Sequence, residues 1–421
     1  MTARSIALAL VATTVLSASA SEPRGTVSLR QALALALEHN PDLAAFSSDM
    51  RAADAHILQA RLIPNPELEM TSENVAGSGS FANARRSENT LLLGQLIELG
   101  GKRSARVREA RFGRELAQFD YETKKREVFL QTAEHFVDLL AAQRRVALNE
   151  ELVSLANGFI PALERRAEAG KASDLEKTRF EIATGSARID LENSKRDLLA
   201  MRQRLAAQWG SMNPQFSSVV GDLDATPTPP SFDALARKLP SNPRLARFGA
   251  EAAKREAALA REKAAAIPDL TLRAGARQLN ETKDGTAVVG LSLPLPLWNR
   301  NQGNIKAARE QIVRAGAERA TAATLLMTEA SDAYQNMARA RTTIMTLRES
   351  ILPAADRTLQ ATAEGYERGR LSYFEVLDAR RTIGGARLQY IQALADYHKA
   401  LHTIEALTAA SRPHDLPSLH E

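Results

Sequence analysis

The chain is written twice. Asn40-Pro41-Asp42-Leu43 recurs as Asn242-Pro243-Arg244-Leu245, 202 residues on, and Phe46 and Pro66-Glu67-Leu68 recur at the same offset as Phe248 and Pro268-Asp269-Leu270. Farther along, Gly170-x-x-Ser173-x-x-Glu176 returns as Gly369-x-x-Ser372-x-x-Glu375, offset by 199. Such a repeat restricts the fold to two like halves. They are read as residues 21–212 and 231–409, joined by residues 213–230, where four prolines give a linker composition. Residues 410–421 read as a flexible tail. Each half is predicted to run helix, two strands, long helix, helix.

Residues 1–20 stand outside this scheme. Arg4, the apolar run Ile6 to Leu16 and Ala18-Ser19-Ala20 have the layout of a secretory signal peptide cleaved before Ser21. No later run reaches the ~20 apolar residues of a spanning helix, so an exported chain of this kind enters a membrane only as strands. There is no cysteine, so neither disulfides nor a lipid-bearing Cys after the cleavage site is expected. The 55 basic and 50 acidic residues are dispersed in both signs. That pattern describes solvated helix faces and argues against a nucleic-acid partner.

Aromatics are only 5% of the chain, as suits long helices. Residues 102–168 and 302–366 are predicted helices of roughly 100 Å at ~1.5 Å per residue. Leu326, Ala330, Ala333, Met337, Ala340, Ile344, Leu347 and Ile351 alternate steps of four and three, the spacing of a coiled-coil seam. The return helices are placed at 172–209 and 372–409; in the first, Leu175, Ile182 and Ile189 recur every seven residues. Pro161 and Pro353 are expected to kink or end the long helices.

Strands are predicted at about 66–76, 87–97, 268–279 and 286–297. In them Glu67, Glu69, Glu73, Arg273 and Arg277 alternate with an apolar face. Four strands cannot close a barrel, and lipid does not tolerate open sheet edges. Two copies would supply eight strands and a filled interior, whereas three would supply twelve and leave a lumen. The charged alternates would then line it.

These features, with the segments Ile97-Glu98-Leu99-Gly100-Gly101-Lys102-Arg103 and Leu295-Pro296-Leu297-Trp298-Asn299-Arg300-Asn301-Gln302-Gly303-Asn304-Ile305, resemble the TolC-type outer-membrane efflux proteins. The likeness is greatest to the heavy-metal branch, the CzcC-like cobalt–zinc–cadmium and CusC-like copper–silver components. It implies a mainly α protein with membrane β: long coiled-coil helices in a periplasmic α-barrel, and four strands per chain in a trimeric twelve-stranded outer-membrane barrel. The implied partners are two further copies, a periplasmic adaptor (membrane fusion protein), an inner-membrane RND antiporter and outer-membrane lipid. The implied work is export of cations such as cobalt, zinc or cadmium, with no enzymatic step and no cofactor. Drug efflux or type I secretion through the same fold, or a non-membrane periplasmic coiled-coil scaffold, are the alternatives.

Gly170 and Gly369 suit the left-handed turn that ends a helix. Ser173 with Glu176, and Ser372 with Glu375, fit the box that starts the next one. The resemblance adds a second role, because family tips converge on an acidic aperture at the periplasmic end. Glu176, Glu375 and Asp378 are the matching aperture candidates, with Lys171 and Arg370 as their ion partners. His398 and His402, four apart with Glu405 beyond, have zinc spacing but no third ligand motif, and read as exposed helix histidines. Nothing resembles a catalytic triad or a phosphate loop.

Overall fold

The computed structural model describes residues 22–170, 173–228 and 230–408. The signal peptide, the tail from 410 and Lys171 lie outside the described residues. Strand β1 (Gly25–Ser28) leads into α1 (Leu29–His39), and α2 (Pro41–Arg61) follows. Strands β2 (Glu67–Glu73) and β3 (Glu88–Ile97) precede the long helix α3 (Lys102–Gly158), the short α4 (Ile160–Glu168) and the return helix α5 (Asp174–Ala207). After β4 (Phe216–Val220) and α6 (Phe232–Ala236), the second half gives α7 (Pro243–Ala265), β5 (Leu270–Leu279) and β6 (Gly285–Ser292). It closes with α8 (Gln302–Thr346), a π-turn at Leu347–Ile351, α9 (Leu352–Glu367) and α10 (Tyr373–Thr408).

Prolines account for several of the element ends. The segment Leu29 to Leu62 reads as one helix in sequence but breaks at Asn40, because Pro41 has no N–H to continue the ladder and starts a new helix instead. Pro161 falls in the first turn of α4, just past a break at Phe159. Pro353 follows the π-turn, whose wider winding absorbs the missing donor. The turn also rotates the seam: Leu326 through Leu347 are buried as the heptad predicts, whereas Ile351 emerges. Strand β6 stops at Ser292 rather than 297, since Pro294 and Pro296 cannot donate to a partner strand.

The connection 213–230 is more than a linker. Phe216 to Val220 forms a strand that pairs in parallel with β1, and Phe216 and Val219 enter the main core beside Phe136, Leu140 and Trp209. Gln143 fixes it, donating from Nε2 to the Val219 carbonyl at 2.9 Å and accepting the Val219 N–H at 2.7 Å.

The elements stack in three levels with one lateral order. The strands run β2-β3-β5-β6, all antiparallel. Beneath them the contacts order the helices α2-α3-α7-α8, and lower still α5-α3-α10 with α8 and α9. Thus α3 and α8–α9 run past both helical levels, and the other two columns are spliced. The splice is the repeated asparagine. Asn40 Oδ1 accepts the Asp42 N–H (3.0 Å) at the start of α2, while its Nδ2 donates to the Gln208 carbonyl (2.8 Å) at the end of α5. Asn242 does the same between α7 and α10, with Arg244 N (2.8 Å) and the Leu407 carbonyl (2.8 Å). Each buried amide satisfies an orphan donor of one helix and an orphan acceptor of another.

Candidate conduction face and helix tips

Register decides which strand side chains share a face. Glu67, Glu69 and Glu73 of β2 pair with Gly94, Leu92 and Glu88, and across β5 the same face holds Arg273 and Arg277. The five residues singled out in the sequence therefore stand together, with Glu88 as a sixth. Glu88 is easily missed because its strand reads as a continuous apolar run. Glu73 and Glu88 oppose each other directly, a repulsive arrangement. Arg277 resolves it, reaching Glu88 at 2.7 Å, Glu73 at 3.4 Å and the Thr90 hydroxyl at 3.0 Å. Arg273 reaches diagonally to Glu69 at 3.4 Å. It has Gly94 and Gly290 as cross-strand neighbours, and its stem lies against both. Glu67 has no ion partner among the described residues. Four carboxylates against two guanidinium groups leave this face with a net charge of −2 per chain. The opposite face carries Leu68, Met70, Leu91, Leu93, Leu272, Val289 and Leu291, all exposed on the isolated chain.

At the far end each half turns through a left-handed glycine, Gly170 at φ 67° and Gly369 at φ 71°. In the second turn Gly369 N–H donates to the Tyr366 carbonyl (2.9 Å) and Arg370 N–H to the Gly365 carbonyl (2.8 Å), the Schellman pair. Ser173 accepts the Glu176 N–H at 3.2 Å. Ser372 works the other way round: its N–H donates to Glu375 Oε2 at 2.9 Å, and its hydroxyl donates to the same oxygen. The Ser372 hydroxyl first, then the Glu375 backbone N–H and last the Ser372 N–H, hold the Glu375 carboxyl below its ordinary value.

Glu176 does not stand in solvent. Its side chain is 14% exposed and lies 3.8 Å from Arg166, which stacks over the Tyr366 ring at 4.8 Å. Burial, and then the nearby Glu176 carboxylate, hold the Tyr366 phenol above its ordinary value. Around them Phe159, Leu163, Phe180, Tyr373 and Val376 form a separate apolar cluster drawn from both tips. Asp378 and Arg370 are exposed, and neither side chain has an ion partner among the described residues. The tips are thus joined by residues about 200 positions apart, which no local motif could announce. Arg380, also unforeseen, is a buried guanidinium that donates to the Leu152 carbonyl at 3.1 Å and sits 3.5 Å from the Tyr373 hydroxyl.

The histidines are not exposed as expected. His398 Nε2 bonds the Leu223 carbonyl at 2.9 Å, and buried His402 holds Glu405 at 2.9 Å through Nδ1. Leu223 of the connection holds His398, His402 is buried, and among the described residues no cluster of three potential ligands occurs.

A sheet with one charged and one apolar face, carried on paired long helices and built twice, defines an efflux-channel subunit, and the comparisons agree. Residues 32–211 and 235–410 match the family "Outer membrane efflux protein", one match per half, and the chain belongs to that family. It is 34% identical over 386 residues to the cobalt-zinc-cadmium resistance protein CzcC of Cupriavidus metallidurans, covering 92% of this chain and 91% of that one. With the nickel-cobalt-cadmium resistance protein NccC of Alcaligenes xylosoxydans it shares 28% over 312 residues, 74% of this chain and 69% of that one. The crystal structure of CusC has the same fold, with a TM-score of 0.77 at 17% identity, covering 91% of this chain and 93% of that one. The TolC-type fold implied by the family resemblance is the one found.

Proposed function

We propose that three copies form the outer-membrane exit duct of a tripartite RND-type pump, working with a periplasmic adaptor and an inner-membrane antiporter. The observation that carries this reading is the shared lateral order of the three levels. Strand β2, helix α2 and helix α5 are all edges on one side; β6, α8 and α9 are all edges on the other. One rotation that joins β6 to the next β2 therefore joins every level at once, and an open sheet becomes a tube. Ile182, 65% exposed, and its heptad mates Leu175 and Ile189 lie on the α5 edge. Such a stripe has no partner among the described residues and suits the next copy's edge. Closure turns the apolar strand face to lipid and the charged face to the lumen.

The cargo is a heavy-metal cation such as cobalt, zinc or cadmium. Two observations support that choice: the net −2 per chain on the lumen face, and the resistance named for the relatives CzcC and NccC. A lumen of one sign concentrates ions of the other. Asp378, exposed near the tip, is the aperture candidate left without a structural task. Deleting the gene from its host is expected to sensitise cells to these metals while leaving tolerance of dyes and detergents intact. Sensitivity to dyes alone would move the cargo to organic drugs.

A further inference from the structure

The two lateral edges differ from the interior seam in one respect. The β3–β5 ladder continues to the pair Ile97–Leu270, but β2 begins only at Glu67 and β6 ends at Ser292. Below those points the edges carry Pro64, Pro66, Pro294 and Pro296, which have no N–H to give. If copies join edge to edge, the base of their seam has few backbone bonds available, and side chains must close it.

Both edges hold apolar side chains at that height. On one, Leu58, Leu62 and Ile63 stand exposed on the last turn of α2 and the descent from β2. On the other, Leu297 and Trp298 lie just below β6, and Trp298 is 85% exposed. The segment that carries the tryptophan is held in place. Gln302 Nε2 donates to the Trp298 carbonyl (3.1 Å), Arg300 Nε to the Pro296 carbonyl (3.2 Å), and Asn301 Nδ2 to the Glu262 carbonyl (2.8 Å). The backbone that carries the indole is thus anchored, and a large exposed indole costs free energy unless something covers it.

We propose that Leu297 and Trp298 of one copy pack on Leu58, Leu62 and Ile63 of the next, forming an apolar clasp at the junction of barrel and helices. The proposal rests on the trimeric reading above and assigns that interface a specific anchor, an aromatic residue meeting an aliphatic pocket. The sequence lacks cysteine, so the clasp can be tested by cross-linking with no background. A chain carrying Leu62→Cys and Trp298→Cys is expected to give covalent trimers on mild oxidation, and each single variant none; Ile63→Cys with Trp298→Cys provides a second pair. A sample that is trimeric by native mass yet cross-links through neither pair overturns the clasp and leaves the channel reading intact. A sample that is not trimeric overturns both. The unmodified protein gives an independent readout, because the other tryptophan, Trp209, is buried in the main core. In bilayers of brominated phospholipid, Trp298 fluorescence is expected to survive. Strong quenching would make the segment a lipid foot and sink the clasp.

Discussion

The two tips are built from the same motif and use it differently. At the second tip, the Glu375 carboxylate caps its own helix, receiving the Ser372 N–H and hydroxyl. At the first, Ser173 does the capping and the Glu176 carboxylate is released from it. Turned inward, it joins Arg166 and Tyr366 in the cluster that binds one tip to the other. A capping box contains two reciprocal bonds, and each tip has kept a different one. Glu375 therefore caps its own helix, whereas Glu176 helps weld the two coils. The weld also changes what the aperture can be. Of the three acids expected at the constriction, one is embedded between the tips and one is committed to a cap. Asp378 alone is unengaged.

The sharpest way to break this contrast is to remove the weld. Tyr366 is fully buried, so Tyr366→Ala should cost about 3–5 kcal/mol per subunit. Faster hydrogen exchange across both tips at once would mark them as one body; exchange confined to α9 would show that they open separately. Glu176→Gln, which keeps the shape and removes the charge, should loosen the same region by less.

A smaller effect separates the caps. Ser173→Ala removes the acceptor at the first tip and should cost ~1 kcal/mol of local helix stability. Ser372→Ala should cost less, since the backbone N–H still reaches Glu375. Acid sharpens the difference. Glu375 has a lowered folded-state pKa, so its contribution is complete above the ordinary carboxylate range and is lost as pH falls through the lowered value. Once corrected for the intrinsic exchange rate, protection at the start of α10 should therefore fall on acidification in the parent and stay flat in Glu375→Gln. Equal acid response in both would show that the Glu375 carboxylate does not carry the cap.

The smallest effect on stability, within about 0.5 kcal/mol, belongs to Asp378→Asn, an exposed change. Its readout is functional. Planar-bilayer reversal potentials should shift toward lower cation preference with the trimer unchanged. Unaltered selectivity would leave the strand face as the source of any charge filter.

What the sequence made legible was periodic. The heptad from Leu326 to Leu347, the alternating charges on the strands and the glycines of both turns follow from spacing, and spacing is local. The sequence also displayed Asn40 and Asn242 as a repeat, but their bonds to Gln208 and Leu407 cross some 165 residues and could not be read. Leu175, Ile182 and Ile189 were visible as sevens, yet periodicity does not tell which surface a stripe faces. Strand β4 went unseen because five residues among prolines give too short a window for alternation to register. The weld at the tips was hidden for the reason the splices were: its members meet only after both halves fold.

Those splices have a mechanical consequence. Two of the four columns in each chain are interrupted, and both interruptions fall where the lower helices meet the upper ones. Along the axis the stacked ends press head to tail, so the wall resists compression almost as a continuous rod does. Under torque the case is different, because a single amide bridges each joint, whereas a continuous helix would need to break its own ladder. If copies close into the proposed tube, half its staves are jointed in one plane, which makes it stiffer to a push than to a twist there. In the proposed tube, a twist is expected to be taken up at that plane, with the lower part turning against the upper.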